Sequence, residues 1–300
     1  MMTRPPLLTI IIPTYNWSTV LPYSIGSALR QTFSDFEVLV IGDGCTDDSG
    51  SVVRMHGDER VRWINLPANT GHQSAPNNEG LRQARGEYIA YLGHDDLWFA
   101  HHLSCLVTAL QAGADLAFGL TEIIGPGGST RVAVPARPRY LPGAWIPPTS
   151  VAHRRSVMDS VGAWRNYREL EVDPEVDLWN RVHQGGHKFA FVPRLTAIKF
   201  SASERPGVYR EKPCHEQAEW FARIHNEPDL EAVELGKLLA FDQETRAGIT
   251  PYFQLLRDLL HETTGRMPRK LRGMVRRILS RPKGQEMDAR RLVKGLERKP

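Results

Sequence analysis

No apolar run in this 300-residue chain approaches the roughly 18–20 residues that a membrane-spanning helix requires. Cysteine is scarce: Cys45, Cys105 and Cys214 lie far apart, without the spacing of a zinc site or a disulfide framework. A reduced, cytoplasmic setting is therefore expected. The apolar stretch Leu7 to Ile12 is too short for a secretory leader and reads as a first strand. No G-x-x-x-x-G-K-[ST] loop is present, which speaks against P-loop chemistry. No serine stands in a nucleophile elbow, and neither an internal repeat nor a low-complexity block interrupts the chain. What remains is ordinary globular composition, 41% hydrophobic and 24% charged.

The net charge of +4 is unevenly spread. Arg266 to Pro300 holds 13 Lys/Arg against three Asp/Glu, a net of +10, which leaves the remainder with 25 basic and 31 acidic residues, a net of −6. Met267, Leu271, Met274, Val275 and Ile278 recur there at helical spacing among Arg269, Lys270, Arg272, Arg276 and Arg277. A basic amphipathic helix of this kind can lie on an anionic membrane surface, so peripheral contact through residues 266–299 is one expectation. Docking on the acidic main domain, or on a partner, is another. Nucleic acid is not expected, because no aromatic stacking residues or known binding motif accompany the basic residues.

Apolar strands alternate with helical patterns along the first half. Leu7 to Ile12 is closed by Pro13, and Leu21 to Leu29 follows as a helix with Ser18 as its expected N-cap. Phe36 to Ile41, Val61 to Asn65, Tyr88 to Leu92 and Ala114 to Gly119 read as further strands. Between them, helices are expected over Ser49 to Met55, Ala75 to Ala84 and Trp98 to Gln111. This order argues for an α/β fold with a mixed, mostly parallel sheet flanked by helices. Gly125-Pro126-Gly127-Gly128 then suggests an antiparallel hairpin, and Arg137 to Pro148 a Pro-rich loop. Helices over Ser156 to Val161 and Glu175 to His183 precede a strand over Lys188 to Val192. Glu216 to Asn226, Leu230 to Phe241 and Tyr252 to Leu260 read as helices. The expected organisation is a domain over 1–210, with halves at about 1–120 and 121–210, and a helical C-terminal extension over 211–300.

Polar residues follow each strand in turn: Pro13-Thr14-Tyr15-Asn16, Gly42-Asp43-Gly44-Cys45-Thr46-Asp47, Asn69-Thr70-Gly71 and His94-Asp95-Asp96. Successive strand ends of this kind line one edge, where nucleotide crevices form. Asp95 and Asp96 are hard oxygen ligands suited to a divalent metal on phosphate, or else caps of the helix expected from Trp98. Asp43 can accept from a base N–H, or merely begin an Asp-Gly turn. Asp173, Glu175 and Asp177 either favour the dipole of a helix start or supply a general base across the cleft.

Taken in order, these pieces resemble the inverting family 2 glycosyltransferases, which have the Rossmann-like GT-A fold. The resemblance rests on Ile11-Ile12-Pro13-Thr14-Tyr15-Asn16, on Ile41 to Asp47 against the family's D-D-G-S-T-D, and on Asn69-Thr70-Gly71 and Ala75 to Gly80. Ala84 to Ile89, His94-Asp95-Asp96, Val161 to Trp164 and Glu175 to Arg181, against E-D-x-D-L-W-x-R, complete it. It covers about the first two hundred residues. It implies a nucleotide-sugar donor, expected to be UDP-linked, and a glycan or glycolipid acceptor. By it, Pro13, Thr14, Tyr15, Asp43, Asn69, Asn78 and Asp95 hold the nucleotide, with Asp43 on the uracil N3–H and Asp95 near the ribose. Asp96, with Asp95, would hold Mn²⁺ or Mg²⁺, and His215 is a distal candidate ligand. Glu175 aligns with the family's base, with Asp177 and Asp173 as fallbacks.

The chain departs from the family at Gly42 and Gly93, which replace the first Asp of D-D-G and of D-x-D-D. It departs also at Asn77, where Arg is frequent, and at Pro174-Glu175. These departures keep open a sugar-nucleotide-binding module without catalysis. A nucleotidyltransferase would want a Gly-rich basic loop after the first strand, and the missing Q-x-x-R-W speaks against a processive polymerase. His72 and His94 are expected near the site. Trp98, Trp164 and Trp179 are expected to pack in the core, with sugar stacking an alternative for Trp164.

Overall fold

The computed structural model describes residues 4–128, 130–133, 139–235, 237 and 294. Nine strands and eight α-helices are assigned among these residues, in the order β1 (Leu8–Thr14), α1 (Leu21–Leu29), β2 (Phe36–Gly42), α2 (Ser49–Met55), β3 (Val61–Asn65), α3 (Ser74–Gln83), β4 (Tyr88–Tyr91), β5 (Leu97–Trp98), α4 (His102–Gln111), β6 (Leu116–Ile124), β7 (Thr130–Ala133), β8 (Val151–Arg154), α5 (Ser156–Val161), α6 (Pro174–Gln184), β9 (Phe189–Phe200), α7 (Val208–Glu211) and α8 (His215–Asn226). The strands form one mixed sheet in the order β3-β2-β1-β4-β8-β6-β9-β5, with β7 on β6. β3, β2, β1 and β4 are mutually parallel, and β8 joins them antiparallel. Both faces are covered. Ile10, Val38, Val40 and Ala90 pack with Leu21, Leu103 and Leu106 on one side, and Ile11, Leu39, Ile89 and Tyr91 pack with Trp164, Leu178 and Trp179 on the other. Burial on both sides is why these strands read as continuous apolar runs.

Several expectations need correction. Pro13 does not stop the first strand. It pairs with Ile41 inside β1, beyond the last β1–β4 pair at Ile11 and Tyr91, so the amide it lacks removes no bond to β4. Ser18 does not cap α1, which begins at Leu21 with a proline in its first turn and no side-chain cap. The helix expected from Trp98 begins at His102, because Leu97 and Trp98 pair instead with Ile198 and Ala197 of β9. Asp95 and Asp96 therefore cap no helix. β6 and β9 run further than expected, together from Leu116↔Phe189 to Ile124↔Phe200. Pro193 and Arg194 look like a strand end but are taken up by a register shift, with Gly119 opposite Val192 and Leu120 opposite Leu195. The hairpin at Gly125 to Gly128 is present, with β6 and β7 antiparallel.

β6 crosses position 120 within this one sheet. α8 docks on the domain through Trp220 and Phe221, which pack with Tyr23, Leu97 and Phe200. Of the other C-terminal helices expected, the one from Leu230 is present over its described part. Tyr252 to Leu260 and the basic tail, Lys294 excepted, lie outside the described residues. Among the described residues, no helix is long and apolar enough to cross a membrane.

Candidate active site

The parallel strands β1, β2, β3 and β4 deliver their carboxyl ends to one edge, and a cavity of about 630 Å³ opens there. Pro13, Thr14, Tyr15, Asp43, Asn69, His72, His94, Asp95, Asp173 and Glu175 all line it. Residues as far apart in sequence as Pro13 and Glu175 thus share one wall, the arrangement expected where ligands meet an open α/β sheet.

Asp43 follows β2 directly and is buried. Its Oδ1 accepts from the Thr70 backbone amide at 2.8 Å and hydroxyl at 2.7 Å, and its Oδ2 accepts from the Gly71 amide at 3.1 Å. It is more than the start of a turn: it fixes the loop after β3 against the cavity. A carboxylate accepts about four hydrogen bonds, so capacity for a ligand N–H remains. Gly44 makes this close approach feasible. Its φ is +67°, and a Cβ there would lie 2.3 Å from the Asn69 amide nitrogen.

Thr14 and His94 join the ends of β1 and β4 through a 2.8 Å bond between Oγ1 and Nδ1, and His94 Nε2 lies 3.3 Å from the Tyr209 hydroxyl. Burial pulls the His94 imidazole down to about 4, against the opposing pull of Asp96. It is neutral near pH 7 and acts as a strut between the two strand ends.

The two adjacent carboxylates separate. Asp95 is buried and lines the cavity. Asp96 is 1% exposed and is turned into the protein, where Oδ1 accepts from the Phe200 amide at 3.1 Å and Oδ2 from Lys199 Nζ at 3.2 Å. Burial raises both carboxyls above their usual range, and the Lys199 ammonium opposes the rise. Of the two carboxylates expected to hold a metal, Asp95 therefore faces the cavity and Asp96 is turned from it. Gly93 shares this corner. A Cβ there would come within 2.5 Å of Asp96 Oδ2, so no side chain fits where the family has Asp. Among the described residues, no group of three or more His, Cys, Asp or Glu is set to hold a metal ion. The donor set fits a hard cation held by the Asp95 carboxylate together with ligand phosphate oxygens and water, a common mode for Mg²⁺. His215 is exposed at the start of α8 and does not line the cavity, so the structure does not bring it together with Asp95.

Across the cavity, α6 begins at Pro174 with Asp173 before it and Glu175 in its first turn. Glu175 Oε1 accepts from Trp145 Nε1 at 2.8 Å. Burial raises the Glu175 carboxyl, while its own backbone amide and the Trp145 indole oppose the rise. A raised carboxyl is a better proton acceptor near neutrality. Asp177 does not share this position. Its oxygens accept from Arg165 Nη1 at 3.3 Å and Arg181 Nε at 2.9 Å, and it does not line the cavity. Arg181 in turn donates to the carbonyls of Val161, Gly162 and Ala163. The Asp177–Arg181 pair thus ties α6 to the end of α5 and the residues after it, and holds Asp177 away from the cavity. Asn78 is likewise structural: its amide holds the Trp164 carbonyl at 2.9 Å and amide at 2.9 Å, away from the cavity. Trp98, Trp164 and Trp179 are buried core residues, so Trp164 stacks on no sugar.

Trp145 and Lys199 are among the cavity residues that escape the sequence reading. Trp145 is an exposed aromatic in the Pro-rich loop, and that combination is its only sequence signal. Lys199 is one cation inside the apolar end of β9, which reads as a strand residue until the fold puts it beside Asp96.

Residues 9–154 match the family model described as Glycosyl transferase family 2. The chain is 34% identical over 119 residues to the GalNAc(5)-diNAcBac-PP-undecaprenol beta-1,3-glucosyltransferase of Campylobacter jejuni, covering 38% of each protein. It is 33% identical over 119 residues to the UDP-Glc:alpha-D-GlcNAc-diphosphoundecaprenol beta-1,3-glucosyltransferase WfgD of Escherichia coli, covering 39% of this chain and 47% of that protein. An uncharacterized glycosyltransferase of Nostoc is 32% identical over 51% of this chain and 52% of its own length. The matched stretch thus spans about half the length of these curated relatives or less. S. aureus TarS 1-349, in a crystal structure with UDP-GlcNAc, superposes with a TM-score of 0.53 at 18% identity, covering 81% of this chain and 73% of that one. The fold is therefore GT-A, as expected.

Proposed function

We propose, from the premise that residues 9–154 are a glycosyl transferase family 2 domain, that this chain transfers a sugar from a UDP-linked donor to a hydroxyl of a glycan or glycolipid, with inversion. One observation carries the reading. Asp43, Asp95 and Glu175 come from three separate segments and line one 630 Å³ cavity, which is large enough for a nucleotide sugar. The relatives' names favour a lipid-linked glycan as acceptor and a hexose as the transferred sugar.

Asp43, with Thr14, Tyr15 and Asn69, receives the base and ribose. Asp95 is the residue to hold Mn²⁺ or Mg²⁺ on the diphosphate, and such an ion would neutralise charge on the departing nucleoside diphosphate. Glu175 takes the proton from the acceptor hydroxyl. That oxygen attacks the anomeric carbon as the bond to the β-phosphate oxygen breaks on the opposite face, which inverts the centre. Trp145, beside Glu175 at the open side, orients the carboxylate and offers a ring face to the acceptor sugar.

Donor turnover with Mn²⁺ separates the roles. Glu175→Gln should keep UDP binding and lose transfer or donor hydrolysis by about 10²–10⁴-fold, the usual worth of a general base. Asp177→Asn should bind UDP and turn over donor in proportion to its folded fraction. The reverse pattern would put the base at Asp177. UDP binding without turnover in the wild type, across sugar donors and lipid-linked acceptors, would favour the silent binding module instead.

A further inference from the structure

The cavity is acidic where an anion must enter. Asp43, Asp95, Asp173, Glu175 and Glu204 all line it, and the cations lining it among the described residues are Lys199 and Lys294. A diphosphate approaching that wall meets like charge unless a cation is already present. Lys199 is placed for this by the end of β9. The Phe200 amide donates to Asp96 Oδ1 at 3.1 Å, which pins the strand end to the β4–β5 turn, and Lys199 Nζ reaches Asp96 Oδ2 at 3.2 Å. An ammonium has three N–H donors, and Asp96 takes one. The lysine side chain is 26% exposed and lines the cavity. Its charge favours the ionised form of Asp95 and of Glu175, which line the same cavity. Gly93 sharpens the point. The chain has no carboxylate at 93, and the space a Cβ would need is filled by the same Asp96 oxygen that holds the lysine.

We propose that Lys199 is a phosphate-binding residue, which takes the donor's diphosphate oxygens and the charge that accumulates on the nucleoside diphosphate as it leaves. The proposal rests on the donor reading above and adds to it a cation that belongs to the protein. When the bond from the anomeric carbon to the β-phosphate oxygen breaks, its electron pair stays on that oxygen, and the Lys199 ammonium lies where it can donate to it. The acceptor proton goes separately to Glu175. Asp96 is then a positioning residue, which acts through Lys199.

The test compares UDP with uridine, which lacks the phosphates, by calorimetry in EDTA. The wild type should bind UDP at least about tenfold more tightly than uridine without any divalent metal, the scale of a charge-assisted hydrogen bond. Lys199→Met should bring the two affinities close together while uridine affinity stays at the wild-type value. Because Lys199→Met leaves Asp96 buried without its cation, the double variant Lys199→Met/Asp96→Asn provides the same comparison with both charges removed. A wild-type UDP-to-uridine ratio that persists in both variants would overturn the proposal, as would a wild-type ratio near one in EDTA. A wild type that binds neither ligand, even with Mn²⁺, would sink the donor reading itself, and with it the role of Lys199.

Discussion

Glu175 differs from Asp177 by two positions in sequence and by its whole environment. One accepts from an indole in the cavity wall, the other from two guanidinium groups in a helix–loop contact. Sequence spacing puts both in the first turns of one helix but does not say which side of that helix faces the cleft. The same limit applies to Asp95 and Asp96, where β4 ends and the next strand, β5, turns one carboxylate outward and the other inward. Two consequences follow for Glu175. Trp145 stabilises the ionised form by donating to it, so Trp145→Phe should raise the Glu175 carboxyl further. The acid limb of kcat/KM against pH should then move to higher pH with UDP affinity unchanged; a limb that stays put would mean that Trp145 does not act on the base. The second concerns stability. A carboxyl raised on folding contributes stability below its unfolded value, and this is lost as pH rises through the folded value. Ionised Glu175 therefore costs stability at pH 7, and Glu175→Gln should raise Tm there, with the gain shrinking toward acid pH. A lower Tm for the variant at pH 7 would contradict the burial argument.

At the scale of elements, β1, β2 and β4 were legible because each is buried on both faces and reads as a mostly apolar run, while the half-buried β3 showed through Val61, Trp63 and Ile64. The later strands were legible only in part: β6, the β6–β7 hairpin and the start of β9 showed in the pattern, but β5, β8 and the full length of β9 did not. β5 is two residues long, and Leu97-Trp98 looks like the front of a helix until β9 arrives to pair with it from a hundred residues away. β9 hides behind Pro193, which the sheet tolerates through a register shift opposite Gly119. These are non-local pairings, and local pattern carries no trace of them. The turn between β4 and β5 offers a direct check. Gly93→Ala would drive a methyl group into Asp96 Oδ2, displacing the carboxylate from the Phe200 amide and from Lys199. The cost should be about 1–3 kcal/mol, typical of an overpacked buried site, and visible as a fall in Tm. Wild-type stability in Gly93→Ala would show that this corner is looser than its geometry implies.

For the molecule as a whole, charge divides the chain more sharply than fold does. Residues 1–265 carry a net of −6 and Arg266 to Pro300 a net of +10. Much of the basic segment lies outside the described residues, so its role rests on composition and periodicity. If it is a surface helix, replacing Arg269, Lys270, Arg272, Arg276 and Arg277 with Gln should lower binding to vesicles containing phosphatidylserine. The loss should be about tenfold or more, given roughly 1 kcal/mol per basic residue near an anionic surface, with UDP affinity unchanged. Vesicle binding at the wild-type level would assign the segment another role. The candidate site itself was legible as a set, because polar residues after successive strands meet at one edge whatever the details. The central claim is that this edge receives a uridine diphosphate sugar. A thermal-shift screen of UDP, ADP, GDP and CDP, with and without Mn²⁺, tests it most directly. UDP should raise Tm more than the other three, most of all with Mn²⁺, and the UDP shift should be lost in Asp43→Ala. A chain whose Tm responds to none of the four would contradict the account.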